Sequence, residues 1–252
     1  MTPGQTTLLA GAGFLAGAIN AVAGGGSLIS FPALLAVGLP SVTANVTNTV
    51  ALWPGYVGGV LPYRSELGAQ RARGTALALT SLVGAALGAV LLLTTPASVF
   101  TLLVPYLVLA ACALLAVQPT VAARVAARPG AGGDHASQLP LHLSVLVSSV
   151  YGAYFGAGLG VMLLAVLGIL LPEGLARLNG LKNALSLSIN TLALLAFVLF
   201  GPVRWVAVLV MAVASLLGGF AGAKVAKRLS SGVLRLTVIV FGVLVATKLL
   251  LS

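Results

Sequence analysis

Ala23-Gly24-Gly25-Gly26-Ser27 interrupts an apolar run that extends from Thr6 to Leu39. A helix that crosses a bilayer needs only ~20 residues, so the run is too long for one span. Each glycine inside a helix costs about 1 kcal/mol relative to alanine. The run therefore reads as two helical pieces, 7–22 and 28–38, joined at a backbone break. In lipid, irregular backbone is tolerated only where protein covers it or where it lines a cavity. Glycine also marks points where helices cross closely. Spacing alone leaves both readings open, a binding break or a packing contact.

The rest of the chain sets the context for that break. Of 252 residues, 60% are hydrophobic and 6% charged, with a mean hydropathy of +1.15. This composition excludes a soluble domain and indicates an all-α polytopic membrane protein in contact with a lipid bilayer. The 13 Lys and Arg against 3 Asp and Glu fall in short loops between apolar segments. That is the pattern of topology signals rather than of a nucleic-acid surface. Residues 1–6 carry no Lys or Arg, so no cleavable signal peptide is expected. Cys112 is the single cysteine, and His135 and His142 have no partner at ligand spacing, so neither a metal site nor a disulfide is expected. Glu66, Asp134 and Glu173 are scattered and no nucleotide-binding motif occurs. The chain is read as a non-enzyme without cofactor. Glu173, just after Pro172, reads as a charge complementing a helix start.

Further segments follow at 42–61, 74–94 and 97–117, then a polar stretch, then a second long run at 141–171 broken at Gly156-Ala157-Gly158-Leu159-Gly160, and finally 173–200, 204–223 and 232–251. The halves match. A shift of 132 places Gly24 on Gly156, Gly26 on Gly158 and Leu39-Pro40 on Leu171-Pro172, and a shift of 134 places Gly84 and Gly88 on Gly218 and Gly222. The chain divides into a first membrane repeat (1–118), a cytoplasmic linker (119–140) and a second repeat (141–252). If each long run crosses once, the basic residues split seven against five, with Lys182 set aside, and the positive-inside rule is not obeyed. If each is a re-entrant hairpin, Arg64, Arg71, Arg73, Arg124, Arg128, Arg177, Lys224, Lys227, Arg228 and Arg235 share one side and only Arg204 and Lys248 the other. The second arrangement obeys the positive-inside rule. It makes the fold two inverted repeats, each a broken, re-entrant helical hairpin plus three transmembrane helices, with both termini outside. Broken helices that cross fully remain the alternative.

The stretch Gly17-Ala18-Ile19-Asn20-Ala21-Val22-Ala23-Gly24-Gly25-Gly26-Ser27-Leu28-Ile29-Ser30-Phe31-Pro32, with Gly38-Leu39-Pro40 and Ala44, resembles the start of the sulfite exporter TauE/SafE family of permeases. Gly156–Gly160, Leu171-Pro172, Ala176 and Asn179-Gly180 resemble that family's second copy. The resemblance implies a bacterial inner-membrane transporter for a small sulfur-containing or other organic anion.

In the hairpin arrangement the two tips face each other, and a helix that starts at a tip points its N–H groups and positive dipole end at the break. Glycine lets an anion approach that backbone closely. Gly24, Gly25, Gly26 and Ser27, with Gly156 and Gly158, form the expected anion cradle. Asn20 precedes the first tip and either holds it or touches the ligand. Asn179, Asn183, Ser186 and Asn190 recur on one helix face, as do Asn45, Asn48 and Thr49 on another. Each group lines a cavity or glues helices together. Lys182 is the one basic residue expected inside a membrane segment, near the midplane. It reads as a ligand cation or as a lysine snorkelling to the interface. Trp53 and Tyr56 flank Pro54-Gly55 and read as gate or interfacial anchors. The expected function is a secondary carrier, with a passive anion channel or a carrier of a non-sulfur organic anion as rivals. The oligomeric state, monomer or homodimer, stays open.

Overall fold

The computed structural model describes residues 1–22, 24–68, 70–127, 138–225 and 231–251. These residues form eleven α-helices and no strand. In order they are α1 (Pro3–Val22), α2 (Ser27–Ala36), α3 (Ser41–Val60), the short α4 (Arg64–Gly68), α5 (Arg71–Thr94), α6 (Ala97–Ala126), α7 (Gln138–Tyr154), α8 (Leu159–Leu170), α9 (Leu175–Phe200), α10 (Trp205–Val225) and α11 (Ser231–Leu251). By length and composition, α5, α9 and residues 97–121 of α6 are apolar enough to cross a membrane. Their outward faces, with Leu79, Val90, Leu102 and Leu199, are exposed. Such surface suits lipid and would be a liability in water.

Both expected breaks are present. Three consecutive glycines end α1 before Ser27 opens α2, and the Gly156–Gly158 stretch separates α7 from α8. Two details depart from the sequence expectation. Helix α6 runs on to Ala126, through Pro119, so Arg124 is helical rather than part of a loop. The loop after α3 also carries a 3-10 turn, Leu61–Tyr63, and α4. The apolar pattern marks where a helix leaves lipid, not where its hydrogen bonding stops. Arg128, Asp134, His135, Lys227 and Arg228 lie outside the described residues.

The helix pairings repeat when the two halves are exchanged. Helix α1 packs on α10 as α7 packs on α5, α3 on α10 as α9 on α5, α6 on α8 as α11 on α2, and α1 on α2 as α7 on α8. The pairs α3–α9 and α6–α11 map onto themselves. The match reaches single residues. A Cβ built on Gly84 would lie 2.6 Å from the Leu146 carbonyl oxygen, and one built on Gly218 would strike the carbonyl of Phe14. These are matching positions, and at both the absent side chain lets two helix backbones touch.

The helices α3 and α9 lie side by side in opposite directions. Asn183 Nδ2 donates to the Gly59 carbonyl (3.1 Å) at the loop end of α3. At the other end, the backbone N–H of Arg204, just beyond α9, donates to Thr47 Oγ1 (3.0 Å). Between them Trp53 Nε1 donates to Thr191 Oγ1 (2.9 Å). Helices α1 and α2 begin and end at one face, where Gln5 Nε2 reaches the Val37 carbonyl (3.5 Å).

Candidate functional site at the helix breaks

The two breaks are built alike. Gly24 N–H donates to the Ile19 carbonyl (3.1 Å) and Gly156 N–H to the Tyr151 carbonyl (3.2 Å), which are matching positions. Gly24 has φ +81° and Gly156 φ +77°, a region that costs other residues roughly 1–2 kcal/mol. Past the breaks, the N–H groups of Ile29 and Ser30 turn to the Gly26 carbonyl, as those of Val161 and Met162 turn to Gly158. One difference is that Gly158 also has positive φ, +78°, whereas Gly26 is right-handed at −60°.

The breaks meet each other. A Cβ added to Gly24 would lie 2.9 Å from the Cα of Gly160, and one added to Gly160 would lie 3.0 Å from the Cα of Gly24. Only two glycines permit this backbone-on-backbone contact. Gly26 is held against the Ala16 carbonyl with no room for a Cβ, and a Cβ added to Gly25 would lie 3.3 Å from the Leu115 side chain of α6. Helices α2 and α8 both start here, so two positive helix ends converge on one buried place.

Side chains fasten each tip. Asn20 Oδ1 accepts from Gly26 N–H (2.8 Å), and the Tyr151 hydroxyl donates to the Ala157 carbonyl (2.5 Å). Asn45 Nδ2 donates to the Tyr154 carbonyl (2.8 Å), tying α3 to the end of α7. Phe155 then wedges between Phe31 of α2, ring centroids 5.3 Å apart, and Phe100 of α6 at 6.5 Å. Ser27 is buried at the start of α2. Asn48 is buried with Oδ1 unpartnered, while the Thr49 hydroxyl returns to the Asn45 carbonyl (3.1 Å). Tyr151 and the three phenylalanines escaped the sequence reading. A signal for Tyr151 was present, because Asn20 and Tyr151 each stand six residues before the backbone group they hold.

The polar face of α9 separates into two levels. Asn190 is 4% exposed, next to Thr191, whose Oγ1 accepts from Trp53 Nε1 of α3 (2.9 Å). Asn190 donates to the Ser186 carbonyl (2.8 Å). Asn179 instead bonds Leu175 of its own first turn (3.0 Å). Its neighbour Gly180 packs on Tyr63, Glu66 and Leu67 of the loop after α3. Lys182 is 3% exposed. No ion pair reaches it among the described residues. It is the eighth residue of the 26-residue α9, about 10 Å along the axis at 1.5 Å per residue. It therefore sits in the loop-side third of the helix.

At that end Glu173 accepts from Arg73 Nη1 of α5 (2.8 Å) and from Arg177 Nη1 (3.0 Å). It does not cap α9, whose N-cap is Gly174 with no side-chain bond. The cap expected from the sequence is thus an inter-helix clamp. Partial burial raises the Glu173 carboxyl, but the bonds from Arg177 and Arg73 outweigh it and hold the group below its ordinary value. At the opposite face a cavity of about 490 Å³ is lined by residues that include Gln5, Val37, Leu39, Thr43 and Arg204. No metal-ligating cluster occurs among the described residues.

Comparison with known proteins places this geometry. The family model described as sulfite exporter TauE/SafE matches residues 9–249. A probable membrane transporter protein of Haemophilus influenzae is 28% identical over 94% of this chain and 91% of its own length. The probable membrane transporter protein ORF9 of Sinorhizobium sp. is 26% identical over 95% and 90%. The probable membrane transporter protein YfcA of Escherichia coli K12 is 26% identical over 94% and 86%. No solved structure matches the chain.

Proposed function

The chain belongs to the sulfite exporter TauE/SafE family and is a multi-pass membrane transporter; from that premise we propose that it is a secondary carrier exporting a small anion such as sulfite or an organosulfonate, by alternating access around the paired glycine breaks. The observation that carries this reading is the contact of Gly24 with Gly160 at the place where α2 and α8 begin. Two helix starts, with the positive ends of their dipoles, favour negative charge there without a cationic side chain. Export follows the description of the family that the chain matches.

In this reading the helix pairs α1–α2 and α7–α8 are re-entrant hairpins of two inverted repeats. Several features support it. Helix α2 has 10 residues, about 15 Å and half of a ~30 Å hydrocarbon core. Gln5 meets Val37 at one face, and the matching helices α3 and α9 run antiparallel. The membrane is the bacterial inner membrane, with the Arg- and Lys-rich loops cytoplasmic and the termini outside. A passive channel would also need a polar path, but repeats of broken helices suit a carrier.

The test is flux in proteoliposomes that hold the purified protein and sulfite or methanesulfonate. Saturable anion movement, lost in Gly24→Ala and accelerated by the same anion on the far side, is the expected result. Unsaturable conductance too fast for a carrier cycle would indicate the channel, and absence of flux for every anion tried would sink the reading.

A further inference from the structure

The two ends of the molecule carry matching corners that are filled differently. Under the shift of 134, the first residue of α5, Arg71, falls on the first residue of α10, Trp205, so Arg73 falls on Ala207 and Gln70 on Arg204. Ser41 follows Leu39-Pro40 as Glu173 follows Leu171-Pro172. At the loop-rich end the long Arg73 side chain reaches Glu173 (2.8 Å) and closes the corner, and Gln70 Nε2 donates across it to the Arg177 carbonyl (3.3 Å). At the other end Ala207 and Ser41 are too short to bridge. There the structure holds the cavity of about 490 Å³, with Leu39, Pro40, Thr43, Arg204 and Ala207 in its lining.

The cavity gathers donors and no acid. Arg204 is the one charged side chain among the described residues of its wall. The Arg204 backbone N–H is fixed to Thr47 Oγ1 (3.0 Å), and Thr43 stands one turn before Thr47 on the same face of α3. Both described acidic side chains lie at the opposite end, Glu66 beside Gln70 and Glu173 on Arg73. Gln5 Nε2 makes one long bond to the Val37 carbonyl (3.5 Å) and keeps a second N–H. The first turns of α3 and α10 border the cavity through Thr43 and Ala207, and the leading N–H groups of a helix have no partner within it. The guanidinium fork matches two oxygens of one oxyanion. At ~30 Å³ per water, the volume takes such an anion with much of its hydration shell.

We propose that this cavity is a second anion site, a vestibule in which Arg204, with Thr43 and Gln5, holds a hydrated oxyanion such as a sulfonate at the face opposite the clamp. It lies the length of the ten-residue α2 from the breaks, about 15 Å. Its role, to gather the transported anion at that mouth, rests on the anion-carrier reading. Its occupancy does not, and is measured without flux.

Val37→Cys in a Cys112→Ala background places a thiol in the wall and leaves the backbone bond to Gln5 in place. The full chain, in phosphatidylcholine nanodiscs at low salt, is treated with two methanethiosulfonate reagents, one carrying a sulfonate and one a quaternary ammonium. Each rate is referred to that with a small free thiol. The sulfonate reagent should react about tenfold faster, as a positive cleft raises the on-rate of an anion, and methanesulfonate should slow it more than chloride does at equal ionic strength. Arg204→Gln should abolish both the preference and the protection. Arg204→Lys should keep the preference and weaken the protection, because an ammonium lacks the fork. Preference and protection unchanged in Arg204→Gln, or a thiol that neither reagent reaches, would overturn the site. Labelling suppressed when phosphatidylglycerol replaces part of the phosphatidylcholine, with no protection by methanesulfonate, would assign the guanidinium to a lipid headgroup and overturn it too. Arg204-dependent protection in a protein that moves no anion would keep the vestibule and sink the carrier; flux without that protection would do the reverse.

Discussion

At the residue scale, Gly24, Gly26 and Gly38 separate conformational from steric need. Gly38 has φ +89° but open space around a built Cβ. Gly38→Ala should therefore cost only the left-handed strain, roughly 1–2 kcal/mol, and leave transport intact. Gly24→Ala meets the same strain and a backbone atom of the facing break. It should stop flux and lower the thermal midpoint further than Gly38→Ala, as melting in detergent will show. The cluster Gly24-Gly25-Gly26 was legible in the sequence because three adjacent glycines oppose helix. Which of them requires positive φ was not, since all three are chemically identical and only the path of the chain distinguishes them. Lys182 makes a second case. A buried charge without a partner destabilises the fold, so Lys182→Met should not lower the thermal midpoint. If the ammonium serves the anion on its way from the loop side, the same variant should cut flux at least tenfold, a loss of about 1.4 kcal/mol. Normal flux in Lys182→Met would leave this lysine a snorkelling residue.

At the element scale, each broken hairpin is held by side chains of another helix rather than by its own propensity. A ten-residue helix such as α2 is marginal alone. Asn45 connects α3 to the last turn of α7 by its bond to the Tyr154 carbonyl, and it is 1% exposed. Asn45→Ala leaves that carbonyl buried and unpaired, which should cost about 1–3 kcal/mol. Hydrogen exchange should rise at α7 and α8 before it rises at α5. Tyr151→Phe should loosen the second tip alone, through loss of the bond to Ala157. The pair tests whether the two tips open independently. The sequence showed a polar face on α9 but not its division, because helical periodicity gives direction around an axis and carries no information on depth. Packing against α3 puts Asn190 beside the Trp53–Thr191 bond and Asn179 at the loop end.

At the scale of the whole molecule, the Arg73–Glu173–Arg177 clamp joins α5 of the first half to the start of α9 of the second. The Glu173 carboxyl is held below its ordinary value, by bonds to Arg177 and Arg73 that outweigh the effect of burial. Its folded pKa lies below its unfolded one, so the stabilisation is fully present above the ordinary carboxylate range and is lost as pH falls through the folded value. The thermal midpoint of wild type should fall with acidification, and its advantage over Glu173→Gln should shrink over the same interval. A constant difference between the two down to acid pH would contradict the clamp. Orientation can be tested in a Cys112→Ala background. A membrane-impermeant maleimide should label Arg204→Cys in intact cells and Glu66→Cys only after permeabilisation.

Amino-acid order by itself determined that this protein belongs in a bilayer, that its apolar runs break at Gly24–Gly26 and Gly156–Gly158, and that its glycine spacing recurs between the halves. Those properties are local or statistical: glycine entropy, hydropathy and the constant offset of 132 require no knowledge of where helices pack. Only the tertiary structure decided that Gly24 lies on Gly160, that Asn20 holds the Gly26 N–H, and that Glu173 clamps rather than caps. Each depends on the path of the backbone through a break or on the relative placement of helices far apart in the chain, which side-chain packing and backbone approach set and no single segment encodes.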